Sequence, residues 1–211
     1  MNTRNRRFYR RIGSGIRKPL FLEDVVMRGG THTGLVLAGG QSRRFGRDKS
    51  TYVVEGRRMI DRVVSAVRPL VLDVMISVAE KGQAPEGLTG RVVTDAVPGL
   101  GPLGGIRSGL SETHTPWLLV VACDMPYVTT DALGGLIKAC DPGLHAVVAT
   151  DDDGRRHPLC ACFHRSVLRR IDEQVAASEL SLHGLLDRLA VREVRLPSEV
   201  LRNVNRPRDL T

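Results

Sequence analysis

The chain has 211 residues, 42% hydrophobic and 26% charged, with 4 cysteines, 22 glycines and 11 prolines spread along it. At about 150 residues per domain this length favours one domain, which at such a size buries roughly 70% of its unfolded surface without covalent staples. A disulfide scaffold, a collagen-like repeat and a disordered tail protein are excluded. The net charge is +8, but seven basic residues (Arg4, Arg6, Arg7, Arg10, Arg11, Arg17 and Lys18) precede the first acidic one. The rest is close to neutral, so net charge argues for no specific nucleic-acid partner. We expect residues 1–33 to be a basic, loosely attached leader and residues 34–211 a single domain. Arg6-Arg7 is not followed by the apolar run of an export signal, because Glu23 and Asp24 interrupt it, and no stretch approaches the ~20 apolar residues of a membrane span. A cytoplasmic protein with no membrane partner is expected.

Beyond the leader, β-rich apolar runs alternate with amphipathic stretches. The sequence predicts a strand at Gly34–Ala38, a helix at Met59–Val67 stopped by Pro69, and strands at Val71–Val78 and Val92–Thr94. A helix is expected over Gly104–Glu112, the most apolar strand at Trp117–Ala122, and a helix over Thr129–Ala139 with Thr129 or Thr130 as its cap. Strands at Ala146–Thr150 and Pro158–Phe163 flank a polar turn at Asp151–Arg156. Helices at Val167–Ala176 and Leu182–Leu189, the latter capped by Ser181, and a strand at Val191–Leu196 complete the chain. This alternation implies an α/β fold: a mostly parallel sheet with helices on both faces, and a ligand crevice outside the carboxyl ends of the strands. Gly39-Gly40, Asp95 and Asp124 all fall at such ends.

The segment LAGGQSRRFGRDKS, residues 37–50, couples two glycines that allow close backbone approach with Arg43, Arg44 and Lys49. That combination suits a triphosphate. It is not a Walker A loop, because Arg47 and Asp48 follow Gly46. Read alone, the segment is also compatible with a basic surface turn. Gly99-Leu-Gly101-Pro-Leu-Gly104 formally matches the dinucleotide fingerprint, but Pro102 removes a backbone donor beside the close-approach glycine. Asp124, ending the most buried strand before Met125-Pro126, is a candidate Mg²⁺ ligand; its plain alternative is a turn cap. His157 and His164 have no Ser or Asp partner pattern near them and read as polar residues at strand ends. Asn203 and Asn205 point the same way if extended. Cys123, Cys140, Cys160 and Cys162 contain no CxxC pair, and buried reduced thiols are expected rather than a metal site.

Taken together, LAGGQSRRFGRDK, Thr94-Asp95, GPLGG at 101–105, CDMP at 123–126, HPLCACF at 157–163 and NVNRPRDL at 203–210 resemble the molybdenum cofactor guanylyltransferases. Phe45 stands where that family usually has Met. The resemblance spans residues 34–211 and implies a Rossmann-like three-layer sandwich that transfers GMP from GTP to Mo-molybdopterin with Mg²⁺, releasing pyrophosphate. It implies GTP contacts from Leu37, Ala38, Gly39, Gly40, Lys49, Asp95 and Asp124, with Lys49, Arg44 and Asp124 catalytic and Asp124 on the metal. Asn203 and Asn205 fall on the molybdopterin side, and Ser77 stands where relatives often carry Asn. Cofactor-inserting proteins or apo-molybdoenzymes are the implied downstream partners. The rivals are a molybdopterin cytidylyltransferase, another small-phosphate nucleotidyltransferase, an NAD-binding redox protein using Gly99–Gly104, and a nucleic-acid module using the leader.

Overall fold

The structure, a computed structural model, describes residues 30–38, 52–79, 87, 89–95, 97, 99–205 and 209. Most of the leader and the basic loop, with Gly39, Gly40, Arg44 and Lys49, lie outside the described residues.

Nine strands and five helices follow one another in the described residues: β1 (His32–Leu37), β2 (Val53–Val54), β3 (Arg57–Arg58), α1 (Met59–Val67), β4 (Val74–Val78), β5 (Arg91–Thr94), α2 (Pro102–Glu112), β6 (Trp117–Ala122), α3 (Thr130–Lys138), β7 (Ala146–Thr150), β8 (Arg156–His164), α4 (Val167–Ala176), α5 (Leu182–Leu186) and β9 (Val191–Arg195). Seven strands form one sheet in the order β5-β4-β1-β6-β8-β7-β9. Neighbours are parallel except where β8 runs against β6 and β7. The expected mostly parallel sheet is therefore present, with one antiparallel strand inside it.

Side-chain alternation along the strands splits the core into two faces. Val36, Ile76, Leu119 and Val121 pack under α1 and α3, which supply Ile60, Val63, Leu133 and Leu136. Leu35, Leu37, Leu118 and Val120 pack under α2, α4 and α5, through Leu103, Ile106, Ile171 and Leu185. Each such side chain contributes about 1.5–3 kcal/mol on full burial, so covering both faces stabilises the layered arrangement.

Helix α1 occupies the predicted span because Met59, Ile60, Val63, Val64 and Val67 recur at helical spacing, and Pro69 turns the chain into a short 3₁₀ segment. Thr129 caps α3, its hydroxyl accepting from Ala132 N–H at 3.2 Å. Ser181 caps α5, accepting from Gly184 N–H at 3.1 Å. Helix α5 ends at Leu186, three residues short of expectation, because Arg188 and Leu189 bond to carbonyls three residues back and tighten the turn. Strand β8 is longer than expected. It runs through Pro158, and the register against β7 shifts between Val148 and Ala149, a bulge that removes the ladder position Pro158 cannot fill. No turn signature in the sequence announces the β2–β3 hairpin: its turn places Glu55 and Gly56 at φ 48° and 77°, a conformation that Asn-Gly advertises and Glu-Gly does not. Among the described residues no helix is long and apolar enough to cross a membrane.

Candidate active site at the carboxyl rim of the sheet

The four parallel strands β5, β4, β1 and β6 end together, and their hydrogen-bond ladders run on into the loops. Ala38 N–H donates to Ser77 O at 2.8 Å, Cys123 N–H to Leu37 O at 3.0 Å, and Asp95 N–H to Val78 O at 3.3 Å. These bonds bring Ala38, Ser77, Asp95 and the turn at Asp124 onto one rim. From β1 the chain moves outward to β4 and β5 and then crosses to β6 on the other side, so strand order reverses between β1 and β6. Such a switch point is where open α/β sheets take their ligands, and here it lies between the ends of β1 and β6.

Asp95 is half-buried at the end of β5. Ser77 Oγ donates to its Oδ1 at 3.2 Å. Burial raises the Asp95 pKa, and the Ser77 hydrogen bond offsets part of that rise. Helix α2 starts beside this pair with Gly101, at φ 59°, as its cap and Pro102 in its first turn. A Cβ on Gly105 would stand 2.6 Å from both Leu37 Cδ2 and Ser77 Oγ, so glycine there lets the first turn of α2 lie against the rim. Helix α2 follows β5, an edge strand, rather than the β1 strand that opens a dinucleotide-binding unit. In the GxGxxG match Gly99 and Gly101 supply positive φ to the turn before α2, and the last glycine, Gly104, lies beside Asp95.

Asp124 follows β6, and its Oδ1 is buried. Its backbone carbonyl accepts from Val204 N–H at 2.8 Å, which fastens the C-terminal Asn203–Asn205 segment to the metal candidate. Val204 is buried while Asn203 and Asn205 are exposed, so the asparagines share the outer face of an extended stretch. Asn205 N–H is bonded to Asp209 Oδ2 at 2.7 Å. The turn after Asp124 is braced from two sides: Arg62 Nε donates to Pro126 O at 3.0 Å, and the guanidinium of Arg202 stands 4.4 Å above the Tyr127 ring. The β2–β3 hairpin joins the same brace, since Val54 packs with Met59 and Val204 in a small cluster flanked by Tyr52 and Tyr127. Both described ends of the basic loop, Ala38 and Tyr52, therefore lie on the Asp124 side of the molecule.

Beside this rim a cleft of about 380 Å³ is lined by Pro102, Met125, Arg155, Arg156, His157 and Asn203, among others. The arginines were not singled out from sequence. Their position follows from the β8 bulge, and Arg156 is also paired with Asp187 and Glu193 at 2.8 and 2.6 Å. His157 Nε2 lies 2.9 Å from Asp151 Oδ2, and this contact is the largest cause of the depressed Asp151 pKa.

The domain described as MobA-like NTP transferase matches residues 34–193. The chain belongs to this family. It is a nucleotidyltransferase. A probable molybdenum cofactor guanylyltransferase from Mycobacterium marinum is 36% identical over 183 residues, covering 84% of this chain and 90% of the relative. A molybdenum cofactor guanylyltransferase from Yersinia pseudotuberculosis is 30% identical, covering 84% and 92%. Among solved structures, molybdopterin-guanine dinucleotide biosynthesis protein A from Archaeoglobus fulgidus superposes with a TM-score of 0.69 at 25% identity, covering 84% of this transferase and 94% of that chain. The 2-C-methyl-D-erythritol 4-phosphate cytidylyltransferase from Thermus thermophilus shares the fold alone, with a TM-score of 0.65 at 17% identity.

Proposed function

We propose that this transferase is a molybdenum cofactor guanylyltransferase, joining GMP from GTP to the terminal phosphate of Mo-molybdopterin in the cytoplasm. The observation that carries the reading is the shared rim: Ala38, Asp95 and Asp124 follow the carboxyl ends of neighbouring parallel strands, and the Asn203–Asn205 segment is bonded to Asp124 through Val204. Gly39 and Gly40 bring backbone amides to the triphosphate, and Lys49 and Arg44 neutralise it. Asp95, positioned by Ser77, contacts the nucleotide together with Leu37 and Ala38. The molybdopterin side takes Asn203 and Asn205, with the 380 Å³ cleft beside Met125 as the acceptor pocket.

An acceptor phosphate oxygen attacks the α-phosphorus of GTP; the new P–O bond forms as the bond to the bridging oxygen breaks, and pyrophosphate departs. The acceptor is already ionised, so no protein base is needed; contrary to the expectation from sequence, His157 has an Asp partner, Asp151 at 2.9 Å, and His164 a Ser partner, Ser166 at 2.8 Å. The work of the side chains is positioning and charge neutralisation. A half-buried carboxylate at a strand end suits Mg²⁺, which takes one or two carboxylates with phosphate oxygens and water, and Asp124 is the residue that would hold it. Bound there, the ion supplies charge stabilisation to the α-phosphate and the leaving group. The product serves cofactor-inserting proteins or apo-molybdoenzymes.

The LAGG form of residues 37–40, with the GPL and CDMP segments, favours guanine over the cytidylyl rival, whose first loop tends to read LAAG. Turnover of GTP and CTP with Mo-molybdopterin and Mg²⁺ tests the assignment. Guanine dinucleotide is the expected product, and CTP consumption at an equal or greater rate would contradict it.

A further inference from the structure

The opposite end of the strands, where β1 and β6 begin, holds a larger cleft of about 610 Å³, lined by His32, Trp117, Lys138, Cys140 and His164 among others. An imidazole and two thiols converge there. His32 Nε2 lies 3.5 Å from Cys140 Sγ, and with Cys162 Sγ the three atoms all fall within 4.8 Å of one another. A tetrahedral ion bound by nitrogen and sulfur sets an N···S edge of about 3.6 Å and an S···S edge of about 3.8 Å. The imidazole–thiol spacing already matches, and the remaining edges need only a small closure.

The three side chains are held from behind. Thr31 Oγ1 lies 2.9 Å from His32 Nδ1, the kind of outer hydrogen bond that fixes the tautomer of a ligating histidine and aims Nε2. The His32 ring also stacks on Trp117, its register partner across β1 and β6, at a centroid distance of 6.2 Å and 14° between planes. Cys140 follows α3, whose terminal carbonyl at Ala139 accepts from Arg192 Nη1 at 2.7 Å. Cys162 sits in β8 with Leu119 and Val147 as its register neighbours. The ligands thus come from β1, the end of α3 and β8, three rigid elements.

We infer that His32, Cys140 and Cys162 form a binding site for Zn²⁺, with the fourth coordination position open to water or to an exogenous ligand in the cleft. Two sulfurs and an imidazole nitrogen are soft to borderline donors that select such an ion over Mg²⁺, whose chemistry belongs with the oxygens at the other end of the sheet. Spacing of the cysteines alone pointed to plain buried thiols, because the imidazole that completes the set lies 108 positions before Cys140.

The test uses the full chain, purified reduced, stripped with a chelator and dialysed against Zn²⁺ alone. One retained Zn²⁺ per chain and a rise in Tm on loading are expected, since the ion ties three elements of the folded state together. Co²⁺ in its place should give thiolate-to-metal charge-transfer absorption. Cys140→Ser, at the partly exposed ligand, should fold as the parent does yet lose both the absorption and the Tm rise, and His32→Gln should do the same. Zn²⁺ should also slow alkylation of Cys140 in the parent protein. Failure to retain Zn²⁺, Co²⁺ binding without the charge-transfer band, or a band of parental strength in Cys140→Ser would each overturn the site.

Discussion

Asp124 and Asp95 share a rim but face different physical situations, and their substitutions separate chemistry from stability. Asp124→Asn keeps the shape of the side chain and leaves the Val204 N–H bond to the backbone carbonyl in place. We expect kcat to fall by about two to three orders of magnitude with Tm nearly unchanged; parental Mg²⁺-dependent turnover in that variant would remove Asp124 from its role. Asp95 behaves in the opposite sense because burial raises its pKa. The folded protein then keeps the Asp95 proton to higher pH than the unfolded chain does, so stability falls as pH rises from the ordinary carboxylate range through the raised folded value. At neutral pH the full cost is present. Asp95→Asn, with the Ser77 hydrogen bond to its side-chain oxygen retained, should therefore raise Tm at pH 7 while raising KM for the nucleotide. The Tm gain should shrink as the pH is lowered below the unfolded carboxylate value, and a gain independent of pH would contradict the sign.

Helix α2 and the hairpin β2–β3 illustrate what the sequence declares and what it withholds. Helix α1, β6, β7 and α4 occupy their predicted spans, because a 3.6-residue or unbroken apolar period leaves a single reading. The β2–β3 turn was invisible since Glu55 adopts a positive φ without the residues that usually announce it. The β8 bulge hid behind Pro158, and with it the placement of Arg155 and His157 on the 380 Å³ cleft. In the candidate site, Asp95, Asp124 and the NVN segment were legible as strand-end and motif residues. The Ser77–Asp95 bond was not, because it depends on the register of β4 against β5. The close approach of α2 at Gly105 supports that pair. Gly105→Ala places its methyl 2.6 Å from Leu37 Cδ2 and Ser77 Oγ and should destabilise by about 1–3 kcal/mol in denaturant titrations, with a weaker hold on nucleotide. Gly135→Ala, a change on α3 where a Cβ meets nothing within 4 Å, should instead stabilise by about 0.5–1 kcal/mol.

Across the whole molecule, charge and function separate along the chain. Seven of the eight net positive charges lie within residues 1–18, whereas the rim is built from strands that begin at His32. Removing residues 1–29 should leave turnover and Tm close to those of the full chain while abolishing any salt-sensitive binding to nucleic acid. The two ends of the strands carry different donor sets: oxygens at the carboxyl rim, sulfur and nitrogen at the other. The proposed function requires the basic loop and Asp124 to grip one triphosphate across the β1–β6 switch point. A crystal structure with Mg²⁺ and a non-hydrolysable GTP analogue tests this. Lys49 Nζ is expected on the triphosphate oxygens and the Asp124 carboxylate on the metal of that same nucleotide. Lys49 at the far end of the sheet, or a nucleotide seated over Gly99–Gly104 away from Asp124, would contradict it.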